Sequence, residues 1–295
     1  MKAVVNAPAA LGFVGLGNMG GPMATNIAAA GFELWCFDAA GTEARLPTGA
    51  HGATGIDDVA RRADTVLLSL PAGDATLAVV RAIASAPTRR TTTVIDLSTV
   101  GPAVATQAAA LLADVGVAYV DGPVSGGAAG ARARTISLMF GGPSEVLDAH
   151  RAVLDAFAGN VFHVGERAGQ GQAMKLLNNF LSATALAATS EAISFGLAQG
   201  LEMATMIDVL NASTGRNTAT SDKFPNRIAN GAYDAGFHTA LMAKDVTLYL
   251  DSVNTTGTSD GIARAVVDLW QQANVALPGS DFTEVWRFVS GEMSG

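Results

Sequence analysis

Lys175 and Asn179 stand four residues apart in Gly169-Gln-Gly-Gln-Ala-Met-Lys-Leu-Leu-Asn-Asn179. On a helix this spacing puts both on one face, where an amine and a carboxamide can address one small ligand, the amine as a general acid/base. Taken alone, the pair also fits an exposed lysine on an amphipathic helix. A second group lies near the start of the chain, in Leu11-Gly-Phe-Val-Gly-Leu-Gly-Asn-Met-Gly20. Here a short apolar strand runs into a G-x-G-x-x-G turn, Gly15-Leu-Gly17-Asn18-Met19-Gly20, and Asp38 closes the next apolar run, 33–37. Gly15 allows the tight turn, Gly17 lets the backbone approach a pyrophosphate, and Gly20 lets the following helix pack on the strand. Asp38 lies about 20 residues on, where a carboxylate can accept both ribose hydroxyls. These residues form a dinucleotide site, and Asp38 would repel a 2′-phosphate, so NAD is expected over NADP; Arg45 is the first residue to suspect should NADP be preferred.

Four further segments carry candidate chemistry. Asp121-Gly-Pro-Val-Ser125-Gly126-Gly127 follows an apolar strand, and the N–H groups of Ser125, Gly126 and Gly127 suit a carboxylate, although a flexible turn reads the same way. Leu70-Pro71 and Ser98-Thr99 follow two more strands, at the carboxyl edge where ligands bind in open α/β sheets. Lys244-Asp245 lies in a helical stretch, where a solvated charge pair and a lysine reaching the cofactor are both open. The four histidines are scattered and no Cys/His/Asp cluster has metal-ligand spacing, so no metal is expected.

The elements that must hold these residues follow from the pattern of the chain. Apolar runs of strand length at 11–14, 33–37, 65–70, 93–97 and 117–120 alternate with helix-compatible stretches at 22–30, 74–84 and 102–115. That alternation gives a doubly wound α/β sheet of Rossmann type, with parallel strands and helices on both faces. Runs at 136–140 and 160–164, flanking a helical stretch at 143–157, are expected to extend the same sheet. Beyond residue 165 the pattern is helix only, opening with a segment of about thirty residues, roughly 45 Å if unbroken. The expected organisation is a tail at 1–10, an NAD-binding unit at 11–167, and an all-helical substrate and dimerisation unit at 168–295, joined by the long helix.

Composition narrows the setting. Of 295 residues 49% are hydrophobic and 15% charged, enough to bury a sizeable core and to hide surface in a subunit contact. The net charge of −8 with no Lys/Arg run argues against nucleic acid and anionic membranes. Residues 1–10 have neither a secretory nor a transit pattern, and Lys175, Asn178, Asn179, Ser190 and Glu191 are spread along the most apolar segment, against a bilayer span. The single cysteine, Cys36, reads as a buried small hydrophobe, with the cytoplasm as the default compartment.

Four stretches in register, Gly12 to Met23, Asp121 to Gly127, Gly171 to Asn179 and Lys244 to Leu248, resemble the β-hydroxyacid dehydrogenase family, most closely its 3-hydroxyisobutyrate dehydrogenase branch. The resemblance implies that Lys175 transfers the proton, that Asn179 positions the substrate, and that Ser125, Gly126 and Gly127 hold its carboxylate. It also implies Thr99 and Lys244 at the nicotinamide half, Leu70 and Pro71 at the adenosine half, and dimers through the helical unit. The implied reaction moves a hydride between NAD and a small 3-hydroxy acid or its semialdehyde. Another short semialdehyde, tartronate or succinic, is an alternative partner, and an inactive NAD-binding regulatory module is the alternative of another class. Arg134 stands where the family usually has glycine. Asn178 replaces the histidine of the 6-phosphogluconate dehydrogenase relatives, and Lys175 is retained where imine-reducing relatives usually replace it.

Overall fold

Residues 8–292 are described by a computed structural model. The chain divides into two compact units, the first ending at Lys175 and the second beginning at Leu176. The first unit contains β1 (Leu11–Val14), α1 (Gly20–Ala29), β2 (Leu34–Phe37), β3 (His51–Gly52), α2 (Ile56–Arg62), β4 (Thr65–Leu68), α3 (Gly73–Ser85), β5 (Thr93–Asp96) and α4 (Pro102–Ala113). It continues through β6 (Ala118–Asp121), β7 (Val124–Ser125), α5 (Gly127–Ala133), β8 (Ile136–Gly141), α6 (Ser144–Asp155) and β9 (Ala158–Gly165) to the start of α7 (Gln170–Ala198). Of the tail expected at 1–10, residues 1–7 lie outside the described part of the chain.

One sheet runs in the order β3-β2-β1-β4-β5-β6-β8-β7, with β9 on β8. Strands β1 to β6 are parallel and in register, Val14 beside Phe37 and Leu68, and Asp96 beside Leu68 and Asp121. Alternate residues face opposite sides, which is why the strands read as continuous apolar runs. Leu11, Phe13, Leu67, Ile95 and Val120 bury one face against α1, α5 and α6; Val14, Val66, Leu68, Val94 and Tyr119 bury the other against α2, α3 and α4. Cys36 lies in the first of these cores, and burial pushes its thiol up to about 12.

The runs at 136–140 and 160–164 do extend the sheet, but not in the parallel sense. β8 pairs antiparallel with both β6 and β7, and β9 follows β8 in parallel. Between Ser125 and Ile136 lies only the short helix α5, too little chain for a crossover, so the strand must turn back along its neighbour.

The second unit is helical: the rest of α7, then α8 (Met203–Asn211), a π-helical stretch (Ala219–Ile228), α9 (Thr239–Thr256), α10 (Gly261–Ala276), a 3-10 turn (Phe282–Glu284) and α11 (Val285–Ser290). Its core gathers Leu186, Phe224, Val246, Trp270, Phe282 and Trp286. Trp270 satisfies its indole N–H on the Ala183 carbonyl at 3.3 Å, so the ring is buried without an orphaned donor. By length and hydropathy alone α7 could cross a membrane, yet it buries Gln172, Lys175, Asn179, Thr189 and Ser190 inside the protein. The expected join at 167/168 sits before α7, whereas the division falls within it. The first turn of α7 is hydrogen-bonded to the sheet and so belongs with the first unit.

Candidate active site

In the first unit the parallel register brings the loops after β1, β2, β4, β5 and β6 to one carboxyl edge of the sheet. Backbone hydrogen bonds stitch these loops strand to strand: Gly15 N–H to the Phe37 carbonyl at 2.9 Å, Ser69 N–H to Val14 at 2.9 Å, Leu97 N–H to Leu68 at 2.8 Å, and Gly122 N–H to Asp96 at 2.8 Å. The glycines of the first loop differ in the way a dinucleotide requires. Gly15 has φ of +95°, and a side-chain carbon there would run into the Ser69 carbonyl. At Gly20 it would strike the Gly15 carbonyl and Phe13. At Gly17 it would meet nothing within 4 Å, so this stretch of backbone is open to a ligand. Two crowded glycines flanking an open one fit a pyrophosphate laid on the turn, with Asn18 and Met19 leading into α1.

Asp38, at the end of β2, is buried and tied to the same turn. Its Oδ2 accepts the Leu16 N–H at 2.7 Å and its Oδ1 the Ala40 N–H at 2.8 Å. Arg45 Nη1 lies 3.3 Å from Oδ2, its side chain 42% exposed. Burial pushes the carboxyl up, but the two amides and the guanidinium outweigh it and hold it below the usual carboxylate range. The group is therefore anionic at neutral pH.

The Leu70 N–H donates to Ser98 Oγ at 2.8 Å, linking the loop of Leu70 and Pro71 to that of Thr99. Ser125 ends β7 opposite Ser137, and Gly126 and Gly127, with φ of +131° and +65°, turn the chain into α5. α5 is capped by Arg134, which sits in the left-handed region at φ 58°, ψ 35° with its side chain exposed. A glycine at this place would adopt that conformation without strain.

Lys175 is only 7% exposed, so the account of it as a solvated lysine fails. Asn179, one turn further on, is also buried, and its Nδ2 donates to Asp245 Oδ2 at 2.6 Å. Lys244 Nζ lies 3.2 Å from Asp245 Oδ1, an ion-pair contact without hydrogen-bond alignment. In the second unit, then, Asn179 and Lys244 meet through Asp245, whose near-complete burial excludes a solvated pair.

Three further buried residues hold these contacts in roles that spacing did not indicate, Asp121 and Gln172 in the first unit and Asp245 in the second. Asp121 accepts the Gly169 N–H on Oδ1 and the Gln172 N–H on Oδ2, each at 2.6 Å. Burial pushes its carboxyl up to about 7 against the pull of these amides, and the neighbouring Asp96 adds to the rise. Asp96 is itself buried, which raises it; its oxygens accept the Ser98 N–H and the Tyr119 hydroxyl, each at 2.9 Å. Asp121 and Asp245 both lay inside quoted motifs, but nothing in a lone sequence marks a carboxylate as buried.

A doubly wound sheet with a dinucleotide turn, followed by a helical unit and a buried lysine on the helix between, defines the class of nicotinamide-dependent dehydrogenases with an all-helical C-terminal unit. Comparison with known proteins agrees. Residues 10–165 match the NAD binding domain of 6-phosphogluconate dehydrogenase, and residues 169–289 match the NAD-binding region of NADP-dependent 3-hydroxyisobutyrate dehydrogenase. The chain is 34% identical to a 3-hydroxyisobutyrate dehydrogenase of Pseudomonas aeruginosa, covering 96% of this chain and 99% of the relative. It is also 34% identical to an NAD-dependent L-serine dehydrogenase of the same organism, over 88% and 91%. The solved structure of a Mycobacterium tuberculosis 3-hydroxyisobutyrate dehydrogenase with L-serine superposes with a TM-score of 0.90 at 32% identity, covering 95% and 99%. The chain belongs to the β-hydroxyacid dehydrogenase family.

Proposed function

We propose that the protein is an NAD-dependent oxidoreductase that interconverts a small 3-hydroxy acid and its semialdehyde, with 3-hydroxyisobutyrate the favoured substrate. The observation that carries this reading is the burial of Lys175 one helical turn from the buried Asn179. A bound dinucleotide supplies the hydride acceptor, or in reverse the donor. Gly15, Gly17, Asn18, Met19 and Gly20 hold its diphosphate and Asp38 a ribose. Leu70 and Pro71 line the adenosine half; Thr99 and Lys244 approach the nicotinamide half. Ser125, Gly126 and Gly127 hold the substrate carboxylate, and Asn179 orients its hydroxyl. Lys175 Nζ takes the hydroxyl proton in oxidation and returns it in reduction. The anionic Asp38 beside the turn supports NAD over NADP.

L-serine is the second reading. It shares the carboxylate and primary 3-hydroxyl of 3-hydroxyisobutyrate; one relative is named an L-serine dehydrogenase, and the solved 3-hydroxyisobutyrate dehydrogenase structure is with L-serine.

The test follows NADH absorbance over a panel of 3-hydroxyisobutyrate, L-serine and short semialdehydes, with Lys175→Ala beside the wild type. Loss of about 10²- to 10⁴-fold in turnover, with NAD binding retained, is the expected result. A variant as active as the wild type removes Lys175 from the chemistry. A wild type that binds NAD and turns over nothing makes the protein a binding module.

The same proposal places the enzyme in the cytoplasm, away from membranes and nucleic acid, and working as a homodimer. Its acidic charge and its one buried thiol support the first points. For the dimer, α7 exposes Leu177, Leu181 and Phe195, the last 69% accessible, along one helix, an apolar face suited to a second copy.

A further inference from the structure

Gln172, Lys175 and Asn179 recur at helical spacing on α7, and all three are buried. Gln172 uses its whole carboxamide. Its Oε1 accepts the N–H groups of Val100 at 2.9 Å and Gly101 at 3.1 Å, while its Nε2 donates to the Ser98 carbonyl at 2.9 Å. Its own N–H is held by Asp121. The backbone leaves no slack here: a side-chain carbon on Gly171 would strike the Met139 carbonyl and Asp121, and one on Gly141 would lie 2.5 Å from Gly171 N. The start of α7 is thus pressed against the ends of β6 and β8 and tied sideways to the loop after β5. Anchoring a helix start needs only a single capping acceptor. Three more bonds, running from a side chain one turn before Lys175 to the Ser98–Gly101 loop, fix the distance and rotation between that loop and the lysine.

We propose that Gln172 is a positioning residue for the reaction: with Asp121 it sets the first turn of α7, and so the Lys175 amine, against the loop that carries Thr99. The proposal rests on Lys175 as the proton-transfer group. Removing the Gln172 carboxamide leaves two N–H groups and a carbonyl without their partner, and the loop and helix can then slip relative to each other. A misplacement of about 1 Å costs about 10²-fold in rate where reacting groups must be held in place.

Gln172→Met, similar in length but without the hydrogen-bonding groups, is compared with Gln172→Glu, which in its protonated form keeps both an acceptor and a donor, and with the shorter Gln172→Asn. The assay uses whichever of 3-hydroxyisobutyrate and L-serine the wild type oxidises, with and without deuterium on the hydroxyl-bearing carbon. Gln172→Met is expected to lower kcat about 10- to 100-fold. Its KM for NAD should stay within about twofold, and its deuterium isotope effect on kcat should rise as hydride transfer becomes limiting. Gln172→Glu should recover part of the loss. If Gln172→Met does not fold, Gln172→Asn must show the same split between kcat and KM. A lowered Tm with wild-type kcat and isotope effect in the folded variant makes Gln172 merely structural and overturns the proposal, as does a Gln172→Glu no better than Gln172→Met. Lys175→Ala, run alongside, separates the two ideas: if it keeps wild-type turnover, the reading of Lys175 has failed rather than that of Gln172.

Discussion

Asp38 has two kinds of partner, and the balance between them bears on the proposed preference for NAD. Its carboxylate is already engaged by the Leu16 and Ala40 amides, while Arg45 approaches from an exposed position. A ribose 2′-hydroxyl can compete with Arg45 for the carboxylate; a 2′-phosphate is repelled by the carboxylate but attracted by the guanidinium. Asp38→Ser should therefore raise kcat/KM for NADP by about 10- to 100-fold, the worth of a hydrogen bond to a charged group. Adding Arg45→Ala in that background should cancel the gain. Steady-state kinetics with both dinucleotides checks this, and NADP use that ignores Arg45 would show that the guanidinium is not a latent phosphate ligand. At this scale the glycine turn and Asp38 were candidates from spacing, because each obeys a local rule, whereas the spacing of Lys175 and Asn179 also left an exposed lysine open. Asp121, Gln172 and Asp245 could not be read that way: they are defined by burial and by contacts from residues 48 to 74 positions away.

Among the elements, those with a strong period were legible and the irregular ones were not. The strands β1, β2, β4, β5 and β6 and the long helix stand where the apolar pattern puts them, give or take a residue or two at their ends. The two-residue β3 and β7 are too short to show alternation, and the π-helical stretch 219–228 contains Pro225, which reads as a helix breaker. The reversal at β8 depends on how little chain α5 supplies. Arg134 at the end of α5 carries a local cost, since a left-handed conformation at a non-glycine residue is unfavourable by about 1–2 kcal/mol. Glycine there relieves the cost but loosens the unfolded chain by about 0.4–1 kcal/mol. Arg134→Gly should thus be neutral or stabilising by about 1 kcal/mol, and Arg134→Val, branched at Cβ, should destabilise by more than about 1 kcal/mol. Chemical denaturation of the three proteins would reveal an error if valine were tolerated as well as arginine.

For the molecule as a whole, two units share one helix, and the sequence located that change of architecture to within the first turns of α7. It placed the join ahead of the helix because helical periodicity begins there, whereas the hydrogen bonds from Asp121 and Gln172 carry the first unit as far as Lys175. The apolar face of α7 bears on assembly. If it meets a second copy, Leu181→Glu with Phe195→Glu should shift sedimentation from dimer toward monomer. Dimers that persist unchanged would put the interface elsewhere.

Cys36 gives the first unit an internal clock. The chain's only thiol sits in β2 beneath α1, inaccessible and protonated. Alkylating reagents attack thiolates and need direct access, so iodoacetamide reaches this atom only when the sheet opens. The rate of labelling under native conditions then times that opening in the unmodified protein, and its slowing by added dinucleotide registers how firmly ligand closes the sheet.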